Sequence, residues 1–214
     1  MENRLYNPDE IQKKSFSIIK DELEKRGFLP DGHITSLQLD VIIRCIHTTA
    51  DFDYADNLVF SDGALDEIER LIKAGATIVT DTNMALAGIS AKSAESFGCE
   101  LKCFMAEPDV GIEAKERGIT RASVSMEKAS ALKGDVIYAV GNAPTALMTL
   151  RDLHDRGYRP AFVIGVPVGF VNVVEAKEMI INSDIPHIVA RGNKGGSTVA
   201  AAIVNAVFAW IRGK

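Results

Sequence analysis

Short apolar runs alternate with helical patterns through the last two thirds of this chain, and that alternation restricts the fold more than any other feature of the sequence. Runs that are apolar on both sides suit strands covered by helices on both faces. The pattern therefore predicts an α/β fold with a mostly parallel central sheet of about five strands flanked by helices. The predicted strands are residues 76–80, 101–105, 136–140, 161–166 and 187–190.

Three helices are predicted before the sheet begins, at residues 8–27, 36–48 and 62–75, and they form an N-terminal helical segment. The later helices are predicted at residues 84–97, 110–117, 126–132, 145–155, 171–181 and 197–210. The sequence contains no linker, low-complexity tract or internal repeat, so a single domain spanning residues 1–214 is the simplest prediction.

Ligands of open α/β sheets bind at the carboxyl ends of the strands. Four segments follow predicted strands and are rich in Gly, Asn, Pro and Ser: residues 81–83, 141–145, 165–171 and 191–197. Three of them lead directly into helices, whose first backbone N–H groups are free to bind anions. The sequence thus predicts a cleft that suits a ligand with several negative charges.

A row of polar residues on the second helix is the strongest candidate for catalysis. Asp40, Arg44, His47 and Asp51 are three or four residues apart and are expected on one helix face, among apolar neighbours. Histidine exchanges a proton near neutral pH, so His47 is a candidate acid or base, with Asp51 able to orient its ring. The alternative is a self-satisfied polar network that fixes the orientation of the helix.

For other motifs the structural explanation is the commoner case. The segment from Gly192 to Ser197 suggests a phosphate loop but does not match the phosphate-loop pattern, and its glycines also suit a tight turn. Ser15, on the inward stripe of the first helix, also suits close helix packing. Arg121, after a short loop, also suits a solvated surface.

The bulk composition restricts partners and location. A net charge of −5 with scattered basic residues argues against nucleic acid or an anionic membrane as the main partner. Three unpaired cysteines suggest free thiols in a reducing compartment, and no apolar run reaches the ~18 residues of a membrane span. The first residues lack the apolar stretch of a signal peptide. We therefore expect a cytoplasmic protein.

His33, His154 and His187 are far apart in the sequence and are interpreted as structural, so a protein-bound metal is not expected.

Several segments, in order along nearly the whole chain, resemble the precorrin-8X methylmutase and cobalt-precorrin-8 methylmutase family of cobalamin biosynthesis. The strings GNAPTAL and PVGFV are highly specific together. The matching segments are Lys14-Ser15-Phe16, Arg44-Cys45-Ile46-His47, Lys73-Ala74-Gly75-Ala76, residues 141–147, residues 167–171 with Glu175-Ala176-Lys177, and Arg191-Gly192 with Gly195-Gly196-Ser197. Lys14 stands where the family often has arginine, which keeps the charge but loses the forked donor geometry.

The resemblance implies an isomerase that moves a methyl group from C11 to C12 of the corrinoid ring of precorrin-8. It implies no cofactor, since any cobalt belongs to the substrate. The catalytic histidine of the family falls on His47, and its substrate-contacting positions fall on Ser15, Arg44, Ser90 and Arg121. On this interpretation His47 donates a proton or a hydrogen bond to ring C, and the apolar Met84, Val168 and Phe170 face the flat ring.

Two other classes of function remain open at this stage. A non-catalytic corrinoid carrier needs the same cleft but no proton donor, and a nucleotide-binding or phosphate-binding α/β enzyme would use the loop from Gly192 to Ser197. The resemblance and the apolar last helix suggest a homodimer, joined through the first helices or the last one.

Overall fold

The computed structural model describes residues 7–28 and 35–213. In these ranges the elements follow one another as α1 (Pro8–Lys25), α2 (Ser36–Thr49), α3 (Tyr54–Asn57), β1 (Leu58–Phe60), α4 (Ala64–Lys73), β2 (Thr77–Thr80), α5 (Asn83–Gly88), α6 (Ala91–Ser96), β3 (Leu101–Lys102), α7 (Pro108–Arg117), α8 (Arg121–Ser130), β4 (Val136–Val140), α9 (Pro144–Asp155), β5 (Phe162–Gly165), α10 (Val173–Ile181), β6 (His187–Ala190) and α11 (Ser197–Gly213). His33, interpreted above as structural, lies outside the described residues.

The mostly parallel sheet is confirmed, with six strands in the order β1-β6-β5-β4-β2-β3. Five of them run parallel, as predicted from the alternation of strands and helices. The sixth, β1, pairs antiparallel with β6 at the edge, with Leu58 opposite Ala190. The expectation of about five strands therefore missed one, a strand of only three residues.

The helix predicted for residues 84–97 is two helices. The first, α5, ends at Gly88, and the second, α6, is capped by the Ser90 side chain, which accepts a hydrogen bond from the Ser93 backbone N–H. A Cβ on Gly88 would lie only 2.8 Å from that of Ala201, so the glycine permits α5 to approach α11 closely. The break thus results from helix packing together with a local serine cap.

Two hydrophobic clusters cover the two faces of the sheet. One contains the buried faces of α1, α2, α4 and α11, and the other contains those of α7, α8, α9 and α10. The last helix is almost wholly buried in its own chain, so it cannot supply the apolar surface for a second copy. In the part of the chain that the structure describes, no helix has the length and apolar character needed to cross a bilayer.

Helix α2 is well defined at both ends, and this fixes where His47 lies. Thr35 caps its start by accepting from the Gln38 N–H at 3.1 Å. Its end is marked by Ala50, whose left-handed backbone (φ 55°) places its N–H on the Ile46 carbonyl. His47 therefore sits in the last turn of α2.

Candidate active site

A groove between α1 and α2 brings together two of the predicted site residues. Ser15 of α1 and His47 of α2 both line it, and Ser15 Oγ lies 2.8 Å from His47 Nδ1. The groove has a volume of about 650 Å³, and its wall is mainly apolar, with Lys14 at its edge. Apart from Lys14, Ser15 and His47, the lining residues are Ile11, Ile18, Ile19, Ile46, Ala50 and Phe52.

The serine contact determines which nitrogen of His47 can react with a ligand. A hydroxyl that donates to Nδ1 leaves the ring proton on Nε2, and an imidazolium that donates from Nδ1 also carries a proton on Nε2. Among the described residues, Nε2 of His47 has no hydrogen-bond partner, and the side chain is exposed. In either of these states His47 can donate to a molecule in the groove.

Phe16 contacts both His47 and Arg44, but Arg44 itself does not line the groove. The Phe16 and His47 rings are nearly perpendicular with their centroids 5.3 Å apart, and the Arg44 guanidinium lies 5.4 Å from the centroid of the Phe16 ring. Arg44 instead lines a smaller cleft with Asp40 and the end of α11. Burial lowers the pKa of Arg44 and the nearby Asp40 opposes the shift, so the guanidinium stays charged in a partly dry site.

Asp51 does not orient His47, contrary to the expectation from the helix spacing. The helix ends at Thr49, so Asp51 lies beyond the last turn and leaves the face that carries His47. Its carboxylate accepts the Asp53 N–H at 3.0 Å and meets Lys194 Nζ at 2.6 Å, and the hydrogen bond from Lys194 holds the pKa of Asp51 below its ordinary value.

Ser90 and Arg121 lie outside the groove that contains His47. The Ser90 hydroxyl caps α6 and contacts the Ser93 hydroxyl at 2.8 Å. Arg121 is exposed at the start of α8, whose cap Thr120 contacts the Thr145 hydroxyl at 2.8 Å. Since Thr145 follows β4, Arg121 lies at the carboxyl edge of the sheet, where ligands of such folds bind.

The backbone donors expected at residues 141–143 are already used by the protein. The buried carboxylate of Asp81, at the end of β2, accepts the N–H groups of Gly141, Asn142 and Ala143 at 2.7–2.8 Å. Burial raises the pKa of Asp81, and the three donors oppose that shift. The loop after β4 therefore holds an internal carboxylate, and the prediction that these donors face a ligand was wrong.

The segment from Gly192 to Ser197 has the tight-turn role that was the alternative to a phosphate loop. The Gly196 N–H donates to the Val166 carbonyl, and a Cβ on Gly195 would lie only 2.1 Å from that oxygen. The Lys194 ammonium is paired with Asp51 and Asp53 rather than open to a phosphate. Close backbone approach explains Gly195.

A fully buried lysine was missed at the sequence level. Lys177 of α10 shares a helix face with the buried Val173, Ala176 and Ile180, and its Nζ donates to the carbonyls of Gly192 and Lys194, both at 2.7 Å. A lysine on an otherwise apolar helix stripe was a signal that could have revealed it. Desolvation lowers the pKa of Lys177 from 10.5 to about 8.

The lowered pKa of Lys177 makes stability depend on pH in a predictable direction. Between pH 8 and 10.5 the unfolded chain holds a proton at this lysine that the folded chain has lost, so this lysine contributes a free energy of unfolding that rises with pH. The slope should reach at most about 1.4 kcal/mol per pH unit. Urea unfolding at several pH values, compared with Lys177→Met, measures it; equal slopes in the two proteins would contradict the prediction.

Three apolar side chains expected to face a ligand are open to solvent. Met84 is 68% exposed and follows β2, whereas Val168 and Phe170 are 47% and 92% exposed and follow β5. Exposed apolar side chains at the carboxyl edge of a sheet are suited to cover a flat ligand.

Within residues 7–28 and 35–213, no three His, Cys, Asp or Glu side chains are grouped as metal ligands.

Comparisons with known proteins identify the family of this chain. The family model described as precorrin-8X methylmutase matches residues 10–210. A cobalt-precorrin-8 methylmutase of Salmonella typhimurium is 41% identical over 97% of this chain and 98% of its own length. One of Leptospira interrogans is 39% identical over 92% of this chain and 91% of its own.

A solved structure gives the same result for the fold. The precorrin-8X methylmutase structure from Thermus thermophilus superposes with a TM-score of 0.83 at 37% identity, and covers 95% of this chain and 98% of that one. Sequence and fold agree over nearly the full length, and the chain belongs to the precorrin-8X methylmutase family.

Proposed function

We propose that residues 1–214 form a single methylmutase domain. It is an isomerase that moves a methyl group from C11 to C12 of precorrin-8 or cobalt-precorrin-8, giving hydrogenobyrinate or cobyrinate. The observation that most directly supports the proposal is the contact between Ser15 Oγ and His47 Nδ1, which lie 2.8 Å apart at the wall of an apolar groove. The names of the relatives supply the substrate class.

The chemistry needs little more than electron withdrawal at the right ring. A methyl group that migrates within a conjugated macrocycle is assisted when ring C is protonated or receives a strong hydrogen bond. His47 is the donor in this proposal, through Nε2, and Ser15 keeps the ring oriented through Nδ1. The methyl group stays on one molecule, so we propose that no cofactor takes part and that any cobalt belongs to the substrate.

Substrate carboxylates need cationic and hydrogen-bonding partners around the groove. Lys14 lies at its edge, and Arg44, Ser90 and Arg121 stay proposed contacts with more distant parts of the macrocycle. Ser90 has the weakest case, because its hydroxyl already caps a helix. The exposed Met84 and Phe170 are proposed to cover the flat ring.

Two absorbance experiments test the proposal. Turnover of metal-free and of cobalt-containing substrate separates an isomerase from a carrier and identifies which form is used. Titration with product should give a saturable spectral change at micromolar protein, because product and substrate differ in one methyl position and in ring conjugation. Product binding without turnover of either substrate would overturn the isomerase in favour of a carrier, and absence of binding as well would overturn the corrinoid substrate class.

We predict that Arg44→Ala weakens product binding more than it slows turnover at saturating substrate. A charge-assisted hydrogen bond to a carboxylate contributes about 1.5–3 kcal/mol, which corresponds to at least a tenfold loss of affinity. Product titration and turnover on one preparation measure both effects. A lower melting temperature with unchanged affinity would show instead that Arg44 has only a structural role, through its packing on Phe16 and its attraction to Asp40.

We also propose a cytoplasmic homodimer. Ile11 and Ile18, which line the groove, are 46% and 54% exposed on α1. Of the two surfaces expected to join the copies, the last helix is buried, so we assign the twofold contact to the first helices. Analytical ultracentrifugation should give about twice the 23.2 kDa of one chain. A mass of one chain across a concentration series would contradict the dimer.

A further inference from the structure

Lys177, a lysine that the proposed chemistry does not use, holds the loop between β6 and α11. Lys177 is fully buried, and its two hydrogen bonds end on the Gly192 and Lys194 carbonyls rather than on a carboxylate. Burying an amine is costly unless it is hydrogen-bonded. The residue is therefore best explained by what it holds, which is the backbone on both sides of Asn193.

The same loop reaches across to the end of α2. The Lys194 ammonium lies 2.6 Å from the Asp51 carboxylate and 2.5 Å from that of Asp53. Its backbone carbonyl is the one that Lys177 fixes, so both ends of Lys194 are held. The backbone from which the Lys194 side chain extends to the two carboxylates is therefore anchored by Lys177.

The acidic partners belong to the segment that ends the helix of His47. The Asp51 N–H donates to the Thr49 hydroxyl at 3.2 Å, and that hydroxyl donates to the Cys45 carbonyl at 2.8 Å. His47 lies between Cys45 and Thr49 in this last turn. A continuous path of contacts therefore runs from α10 through the loop to the turn that carries His47.

We propose that Lys177 and Lys194 are positioning residues that hold the last turn of α2, and so keep His47 against Ser15 in the geometry for reaction. The proposal rests on the proposed function, because it concerns the same histidine. Exposed ion pairs contribute only about 0–1 kcal/mol to stability. Lys194 and Asp53 are 45% and 59% exposed, so geometry rather than global stability is the effect to measure.

The decisive variant is Lys194→Ala, which removes a surface side chain and should fold. We expect turnover about tenfold slower, because a small misplacement of a catalytic group lowers the rate. Product affinity should stay within threefold of the wild type, and the melting temperature should not change. The Cε1 proton resonance of His47, assigned from its absence in His47→Ala, should shift. Lys194→Arg should restore turnover, because it keeps the charge and can reach both carboxylates.

The matched control is Lys128→Ala. Lys128 also joins two carboxylates, those of Glu107 and Asp109, but on α8, away from the groove. We expect normal turnover and an unchanged His47 resonance. Lys177→Met should reproduce the Lys194→Ala pattern, with some loss of stability as well.

The outcomes separate this inference from the proposed function. Wild-type protein without turnover would refute the proposed function, and the His47 resonance would still report whether Lys194 positions the ring. Wild-type turnover with Lys194→Ala at the wild-type rate would overturn the inference alone. A loss of product affinity larger than the loss of turnover would also overturn it, because Lys194 would then be a substrate contact.

Discussion

His47→Ala is expected to fold, to bind product and to lose turnover by about 10²–10⁴-fold, the usual contribution of a general acid. His47 is exposed and sits in the last turn of its helix, so its removal leaves no cavity in the core. The hydroxyl of Ser15, its partner, is half-buried and can turn to water instead. Melting temperature, product titration and turnover on one preparation measure the three effects.

Ser15→Ala is expected to reduce turnover by less than His47→Ala does. It leaves the proton donor in place and removes only the contact that orients it, so we expect a loss of turnover of about tenfold, well below that of His47→Ala. A His47→Ala protein that folds, binds product and turns over near the wild-type rate would rule out His47 as the proton donor. A protein that melts far below the wild type would favour the interpretation as a structural network.

The strands that were predicted correctly are those whose signal is local. Val136–Val140 and His187–Ala190 are apolar runs between helical patterns, and their bounds are as predicted. The edge strand β1 has three residues and pairs with β6, about 130 residues later, so no local pattern identifies it. The predicted strand at residues 101–105 shortens to Leu101–Lys102, the two residues that pair with β2 at the other edge of the sheet.

The candidate residues could be chosen from the sequence only where their signal was local or carried by the resemblance. His47 was visible as a polar residue on an apolar helix, and the resemblance added Ser15. The partners of Asp51 and Asp81 could not be found by spacing. Asp51 meets Lys194, and Asp81 meets the loop after β4, through contacts that exist only once the sheet has formed. Helix spacing alone directed Asp51 to the wrong partner, because the helix ends before it.

Asp81→Leu is expected to lower the free energy of unfolding by about 3 kcal/mol, because it removes the acceptor for three backbone N–H groups in the loop that precedes α9. Through these hydrogen bonds the carboxylate joins the ends of β2 and β4. For a chain of this length the loss corresponds to a melting temperature roughly 10 °C lower. Urea unfolding and calorimetry measure both quantities.

Asp81→Asn separates the acceptor from the charge. The amide keeps one carbonyl oxygen and removes a buried charge whose desolvation raises the pKa of Asp81, so we expect a smaller loss than with leucine. The control is Asp155→Asn, a surface carboxylate paired with Arg151, which should change stability by less than about 0.5 kcal/mol. If Asp81→Leu is as stable as that control, the three hydrogen bonds are replaceable by water.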